Sequence, residues 1–571
     1  MTTSASDPIT VEIIQSSLQA TSDEMFSSMR KTAMSSIIYE VLDMGTCITD
    51  AAGNLAASGA GIPAFVATLD KAVKRIIALH DGAGEIGLGD VFATNDPYYG
   101  GVTHLNDVVF ALPVFAGGEL IAWTANIAHW NDVGGMVPGS ISNEARELFQ
   151  EGLRLPGIKV VERGEPLRSV IEIMKVNSRL PRFLEGDMWA GISAARLGKR
   201  RIADLVAKYG KDTFLSAVAL FMEYGEEVSL RALEQLPQGT FDLAEQQDDG
   251  RVYTVSVEIG DGAFVVDLRD NPDQDPFSAN LGHDASMIAA QMIFKNATDP
   301  GGIANGGSFR PLTLLTRPGS IFDANEPAAF GIYAETVIRL YDLIWRCLAP
   351  HLGDRLPAGH YASICGTFIG GRHPDTGRHF TVVEQQLGGW GASAQGDGNS
   401  AMFTGIHGDT FNCPVEVAEA RYGLWVEQLA LSDAEGGAGE HRGGKGIVLD
   451  YRARSDGLFF TCAYTRSVHA PWALEGGREG SRNYVELIRR DGAREEHAIA
   501  TALELNEGDL VRIHTANGGG HGDPRRRPRE LVFADLRDGL ITPSEAMTIY
   551  GLDGSAETAG REAEAAAPST L

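Results

Sequence analysis

Apolar residues recur at helical spacing almost from the start of the chain. Val11, Ile14, Leu18 and Met25, in a stretch opened by Asp7-Pro8, predict a long amphipathic helix. Ser36 to Asp50 reads as extended chain, closed by the turn Ala51-Ala52-Gly53-Asn54, and Ala64 to Leu79 as a second amphipathic helix. Gly87-Leu88-Gly89-Asp90 turns into a strand, Val91 to Thr94. Two β-type runs follow, Val108 to Phe115 and Leu120 to Trp123, joined as a hairpin. Helical patterns cover Ser169 to Asn177, Leu180 to Tyr209 and Thr213 to Gln235. Beyond Gly250 the texture changes to short alternating segments such as Val252 to Ile259 and Gly262 to Leu268, interrupted by helical runs at Ala285 to Lys295 and Glu335 to Leu348. A further β-rich section spans Gly446 to Ile513, and Ser544 to Gly551 reads as a helix and turn.

These patterns predict a mixed α and β fold. An N-terminal helix-and-strand region (1–245) precedes a large β-rich body with interspersed helices, divided into a central region (246–435) and a C-terminal region (436–553). Length alone favours roughly three to four domain-sized units for 571 residues. The tail 554–571, rich in Ala, Glu, Gly, Ser and Thr, is expected to be disordered.

Composition narrows the function. Asp and Glu number 76 against 48 Lys and Arg, a formal charge of −28, and Arg525-Arg526-Arg527 is the one basic run that stands out. Nucleic acid is a poor ligand for such a surface. The five cysteines form no C-x-x-C pair, which argues against a disulfide framework and a thiolate zinc site. The opening residues lack the basic and apolar regions of a signal peptide, and no apolar run reaches about 18 residues, so a cytoplasmic protein without a membrane span is expected.

The densest chemistry lies between Thr94 and Pro156. His104-Leu105-Asn106-Asp107 and His129-Trp130-Asn131-Asp132 repeat one pattern, and a hairpin would set the two histidines side by side at strand ends. Imidazole nitrogen with carboxylate oxygen is a ligand set that zinc, manganese or iron accepts. The alternative is that Asp107 and Asp132 cap turns while the histidines donate to backbone. Asp43, a carboxylate among apolar neighbours, is either a third or fourth ligand or a strand-end residue facing an arginine.

Glycine is abundant, with 68 residues, and clustered. Gly439 to Lys445 spells a phosphate-loop beginning, but Gly446 replaces the Ser or Thr and a strand-like segment follows. Gly389-Trp390-Gly391 to Ala394 fits a dinucleotide fingerprint but leads into a turn. Neither is read as a nucleotide site. His407 and His521 lie in loops that could line a pocket.

The chain resembles the hydantoinase B family. The resemblance rests on Asn95-Asp96-Pro97-Tyr98, both His-x-x-Asp units, Gln150-Glu151-Gly152, Asn305-Gly306-Gly307, Gly388-Gly389-Trp390-Gly391, Asn412-Cys413-Pro414-Val415-Glu416 and Gly519-Gly520-His521-Gly522-Asp523-Pro524. It implies one divalent metal held by His104, Asp107 and His129, with Asp43 as a further ligand. It also implies a hydantoinase A-type partner, carrying ATP and magnesium, that phosphorylates the substrate. The expected function is hydrolysis of a cyclic amide within a hetero-oligomer. Asp132 is the candidate base or orienter of a ligand imidazole, and Glu151 a second candidate. The alternatives are a component of an ATP-dependent ketone carboxylase, or a non-catalytic structural subunit.

Overall fold

The computed structural model describes residues 7–80, 85–98, 100–408 and 410–552. The expected disordered tail lies outside them. Helix α1 (Pro8–Thr32) starts where the sequence signals it, with the Asp7 side chain accepting from the Thr10 backbone N–H and Pro8 in the first turn. The chain continues through α2 (Ser36–Tyr39), β1 (Met44–Asp50), β2 (Leu55–Gly61), α3 (Pro63–His80), β3 (Val91–Thr94), β4 (Asp107–Ala116), β5 (Glu119–His129), β6 (Pro156–Glu162), β7 (Glu165–Pro166), α4 (Arg168–Val176), α5 (Pro181–Tyr209) and α6 (Lys211–Leu233). The seven strands form one sheet in the order β2-β1-β5-β4-β3-β6-β7, each pair antiparallel.

Both faces of this sheet are covered, and the alternation along β4 shows how. Val108, Phe110, Leu112 and Val114 join the apolar cluster of α1 and α5. Val109 and Ala111 point the other way, into the cluster of α3. On β5 the positions facing α5 include Thr124 and Asn126, which hydrogen-bond the Ala195 and Gly191 carbonyls at 2.9 and 2.8 Å. That polar satisfaction lets β5 run past the expected Trp123 as far as His129.

A second sheet, β11-β10-β9-β8, comprises β8 (Gly239–Gln246), β9 (Val252–Gly260), β10 (Ala263–Asp267) and β11 (Leu312–Leu315). The parallel pair β10/β11 is joined by a crossover containing α7 (His283–Thr298). Helices α3, α7 and α8 (Tyr333–Leu348) and the inner faces of both sheets share one apolar core.

The remaining elements are β12 (Gly366–Arg372), β13 (His379–Glu384), α9 (Val415–Arg421), β14 (Leu424–Leu431), β15 (Ile447–Ala453), β16 (Leu458–Ala463), β17 (Tyr484–Ile488), β18 (Arg494–His497), β19 (Ile499–Leu505), β20 (Leu510–His514), α10 (Arg529–Arg537) and α11 (Pro543–Thr548). They build two antiparallel sheets, β13-β12-β16-β19 and β14-β15-β20-β17-β18. Each draws strands from both sides of residue 435, and β8 spans residue 245.

One stretch departs from expectation. Ser36 to Asp50 is not extended throughout: Ser36–Tyr39 forms a helical turn, and Leu42 takes φ 66° before β1 begins. Ile37 and Ile38 are both buried. Adjacent residues of a strand point to opposite faces, whereas a helical turn can send both inward.

The glycine clusters are woven together. Gly389 N–H donates to Ala516, Gly444 N–H to Trp390 and Gly518 N–H to Gly444, all through backbone carbonyls at 2.8–3.0 Å. A Cβ on Gly389 or Gly518 would sit 2.1 Å from a neighbouring carbonyl oxygen, so side chains are excluded there. Lys445, the apparent phosphate-loop lysine, is buried and donates to the Ala434 carbonyl at 2.7 Å. All five cysteines are buried and free, and no helix among the described residues is long and apolar enough to cross a membrane.

Candidate metal centre

Asp107 opens β4 and His129 closes β5, and the antiparallel register sets them directly opposite each other. On the far side of β5, β1 pairs Met44 with Ala128, and the preceding residue, Asp43, accepts the His129 backbone N–H at 3.1 Å through its carbonyl. Three ligand-type residues therefore stand in a row at one end of three neighbouring strands. His104 is folded back by the turn before β4, where the Asp107 N–H donates to its carbonyl at 3.1 Å. Its Nε2 lies 3.4 Å from Asp107 Oδ2, and its ring centroid 5.1 Å from that of His129. Ligand atoms of His104, Asp107 and His129 all lie within 4.8 Å of one another. Asn106 ties the two copies of the motif together, its Nδ2 donating to the Trp130 carbonyl at 2.7 Å.

The site is closed to solvent, with Asp107 0%, His104 4% and His129 5% exposed. Yet both ring nitrogens of His104, His129 Nδ1 and Asp107 Oδ1 have no hydrogen-bond partner. Buried polar atoms are paired in the great majority of cases, because losing water without replacement costs about 1–3 kcal/mol each. One nitrogen from each ring and an oxygen of Asp107 lie close enough together for a single ion, and they match the nitrogen and oxygen donors that a divalent ion takes.

The electrostatics keep these groups ready to act as ligands. Burial, and then His104, lower the His129 pKa to about 3, so its ring is neutral at ordinary pH. Burial raises the Asp107 pKa, but the charges of His104 and His129 and a hydrogen bond from Thr103 more than offset it, holding the carboxyl below its usual range. Burial, and then the Asp107 carboxylate, push Asp43 well above its usual value.

A cavity of about 60 Å³ adjoins the cluster, lined by Asp43, His104, His129, Tyr333, Glu335 and His407 among others. That space accommodates an ion and a few waters. The Tyr333 hydroxyl, from the first turn of α8, donates to Asp107 Oδ2 at 3.3 Å. Burial lowers the His407 pKa to about 4 and raises that of Glu335 to about 7. Glu335 accepts from the Ile364 N–H at 3.0 Å and the Thr465 hydroxyl at 2.7 Å. Its helical surroundings carry no motif, so nothing local marked it. His407 was visible as a loop histidine, but a loop alone could not say what it faced.

Asp132 and Glu151 stand apart from this lining. Asp132 Oδ1 accepts the Gly134 and Arg179 N–H groups at 3.1 and 2.8 Å, and Oδ2 accepts Gly139 N–H and Arg179 Nη1 at 3.0 Å each. Its oxygens are committed to organising a loop, which leaves none to orient a ligand imidazole. Glu151 receives the Phe330 and Gly331 N–H groups at 3.0 and 2.6 Å, and burial raises its pKa to about 8. It supports the loop whose Gly331 and Ile332 line the cavity rather than facing the cavity itself.

The family model described as Hydantoinase B/oxoprolinase matches residues 7–524. The chain belongs to the hydantoinase B/oxoprolinase family. It is similar to the B-type subunit of a putative D-/L-hydantoinase from Pseudomonas sp. (strain NS671), 29% identical over 571 residues, with 96% of this chain and 95% of that protein covered. It is similar to the beta subunit of the caprolactamase of Pseudomonas jessenii, 29% identical over 577 residues and covering 96% and 97% of the two chains. The crystal structure of the ATP-dependent caprolactamase from the same organism superposes with a TM-score of 0.89 at 27% identity, covering 98% of this chain and 100% of the matched one. Acetone carboxylase shares the fold, with a TM-score of 0.88 at 19% identity over 98% of this chain and 82% of that one.

Proposed function

We propose that this hydantoinase B-type chain is the metal-dependent hydrolytic subunit of an ATP-dependent cyclic amidohydrolase of the hydantoin, lactam or oxoproline type. Its substrate is phosphorylated on a hydantoinase A-type partner that carries ATP and magnesium, in a cytoplasmic hetero-oligomer. The observation that carries the reading is the convergence of one ligand atom each from the buried His104, Asp107 and His129, a cluster that leaves polar atoms unpartnered beside a small cavity. The names of the relatives, one component of a hydantoinase and one of a caprolactamase, support the class of reaction and the division of labour between chains.

His104, Asp107 and His129, with Asp43, would hold the ion, which when bound supplies Lewis acidity and makes water a nucleophile near neutral pH. Resonance makes an amide a poor electrophile, so O-phosphorylation by the partner is the complementary activation. The rest falls to this chain's own residues. Glu335, with a pKa of about 7, can release and recover a proton at the cavity wall as the ring C–N bond breaks. Burial of His104, Asp107 and His129 keeps bulk water from the activated substrate. Glu151 holds Phe330 and Gly331 against the cavity through two backbone N–H groups and acts as a positioning residue.

Metal content of the purified chain, by plasma emission spectroscopy, tests the reading. About one zinc, manganese or iron per chain is expected, lost in folded Asp43→Ala, His104→Ala and His129→Ala variants. Metal indifferent to all three would remove the site. Bicarbonate-dependent ATP turnover with a ketone would replace the hydrolase by a carboxylase. A His104→Ala complex that loses stability instead of leaving a folded, inactive assembly would make the metal structural.

A further inference from the structure

On the other side of α2 from the metal cavity lies an open groove of about 1040 Å³ whose charge runs against that of the chain. The protein is formally −28, yet the groove is lined by Arg30, Lys31, Arg182, Arg378 and Arg421, with Glu40 as its one acidic lining residue. These five cations come from the end of α1, the start of α5, the β12–β13 turn and the end of α9. None of the five pairs with a carboxylate among the described residues. A protein with so many acids to spare leaves these arginines without carboxylate partners, Arg30 Nε donating only to the Tyr39 carbonyl at 3.1 Å, and guanidinium groups around a concavity are the donors that bind phosphate oxygens.

Two polar donors in the lining make the same point independently. His373 is 7% exposed; its Nδ1 accepts the Asp375 backbone N–H at 3.1 Å, so in the neutral ring the proton sits on Nε2, and that donor has no partner. The Tyr39 hydroxyl is the second, buried without a partner, and Asn131 Oδ1, an unpartnered acceptor in the same lining, suits a hydroxyl or amide of the organic part. Asn131 belongs to the second His-x-x-Asp unit and stands two residues beyond His129. Its counterpart in the first unit, Asn106, is spent on the Trp130 carbonyl. Phe183, Phe380 and Tyr422 add aromatic surface, and the Arg421 guanidinium lies 5.3 Å from the Tyr39 ring centroid.

Groove and cavity share two walls. On α2 and its extension, Tyr39 and Glu40 line the groove while Ile37, Val41 and Asp43 line the cavity. On β13, Phe380 and Thr381 line the groove while Val383 and Glu384 line the cavity. We propose that this groove is a binding site for a small organic phosphate. The arginines and His373 hold the phosphoryl group and the aromatic residues hold the organic part, adjacent to the metal centre. Its role as a waiting site for the phosphorylated substrate rests on the function proposed above; its chemistry as an anion site does not.

The test is calorimetric titration of the purified full-length chain at constant ionic strength with pyrophosphate, ADP and phenyl phosphate. Metal content is measured on the same samples. Saturable binding of one molecule per chain is expected, weakened about tenfold in Arg182→Ala and in Arg378→Ala. His373→Ala should weaken it less, and Arg494→Ala, remote on β18, should leave it unchanged. A preference for phenyl phosphate identifies a phosphorylated small molecule as the source of the ligand, and a preference for ADP a nucleotide. No saturable binding, or binding indifferent to the groove variants, overturns the proposal. So does loss of partner co-purification in those variants without any anion binding, which would make the groove a protein interface. Anion binding in a metal-free chain would sink the hydrolytic reading and leave this site standing, and a metal-loaded chain that ignores all three anions would do the reverse.

Discussion

Two buried polar clusters of this protein invite comparison. Around α8, Arg339 and Arg466 meet Glu245 and Asp342 in a closed ionic network. Arg339 Nη2 lies 2.7 Å from Glu245 and Nη1 2.9 Å from Asp342, Arg466 reaches both acids, and Trp472 Nε1 donates to Asp342 at 3.1 Å. Of the polar atoms on these four ions, Arg466 Nε alone lacks a partner, while the neighbouring His360 ring, 3.6 Å from Asp342, has no hydrogen-bond partner on either nitrogen. Burial raises the Asp342 pKa, but Arg466, His360 and Arg339 more than offset it and hold its carboxyl far below the usual range. At the end of β1, β5 and β4 the opposite holds: His104, Asp107 and His129 are equally buried but leave four donor atoms unpaired. The first cluster meets each of its buried charges with an opposite charge from the protein and serves the fold. The second is complete only with something added, and that is the physical mark of a site.

The sharpest way to break this contrast is to remove one partner from the complete cluster. Arg466→Ala removes one of the two buried guanidinium groups that neutralise Glu245 and Asp342 and leaves their negative charge under-compensated, so denaturant unfolding should show a loss of about 3–5 kcal/mol. A stability within about 1 kcal/mol of the parent, the worth of an exposed pair, would mean the network is no structural tie. His104→Ala should behave differently. The chain stays folded by circular dichroism, while ATP-dependent hydrolysis in the assembled complex falls by about two to three orders of magnitude. Activity surviving that change would put the chemistry elsewhere.

Smaller effects sharpen the edges of the site. Glu151 has a folded-state pKa of about 8, above its unfolded value near about 4.3. The folded chain therefore holds the proton more tightly. That contribution is complete below the unfolded pKa and is lost as pH rises toward 8, so the parent should lose about 3–4 kcal/mol relative to Glu151→Gln between pH 5 and 8. Parallel stability curves for the two proteins would show that Glu151 ionises as freely in the fold as outside it. Last, His407→Ala should lower kcat/KM about tenfold with metal content unchanged. Loss of the metal in that variant would instead add His407 to the ligands.

Much of this was legible along the chain. The helical spacing from Val11 to Met25 and the alternation of Val108 to Val114 report local geometry, and both became the elements they describe. The two His-x-x-Asp units pointed to His104 and His129 side by side because a hairpin joins them, and a hairpin is a short-range object. Where residues act across long separations, the signal failed. Asp132 carries the same local signature as Asp107, but Arg179 and three backbone N–H groups consume its oxygens. Glu335 and His407 reach the cavity from 200 to 300 residues beyond His129, without a local pattern to announce it.

The sequence by itself determined the periodicities, the family and the kinds of donor atoms available, since these depend on residue type and near neighbours. Tertiary structure decided that β1 would lie beside β5 and bring Asp43 to His129, and which donors would find partners. It also gathered Arg30, Arg182, Arg378 and Arg421 around one groove on an acidic protein. The reason is the same throughout: burial and hydrogen-bond satisfaction are properties of the packed chain, set by residues far apart in sequence, and no local pattern encodes them.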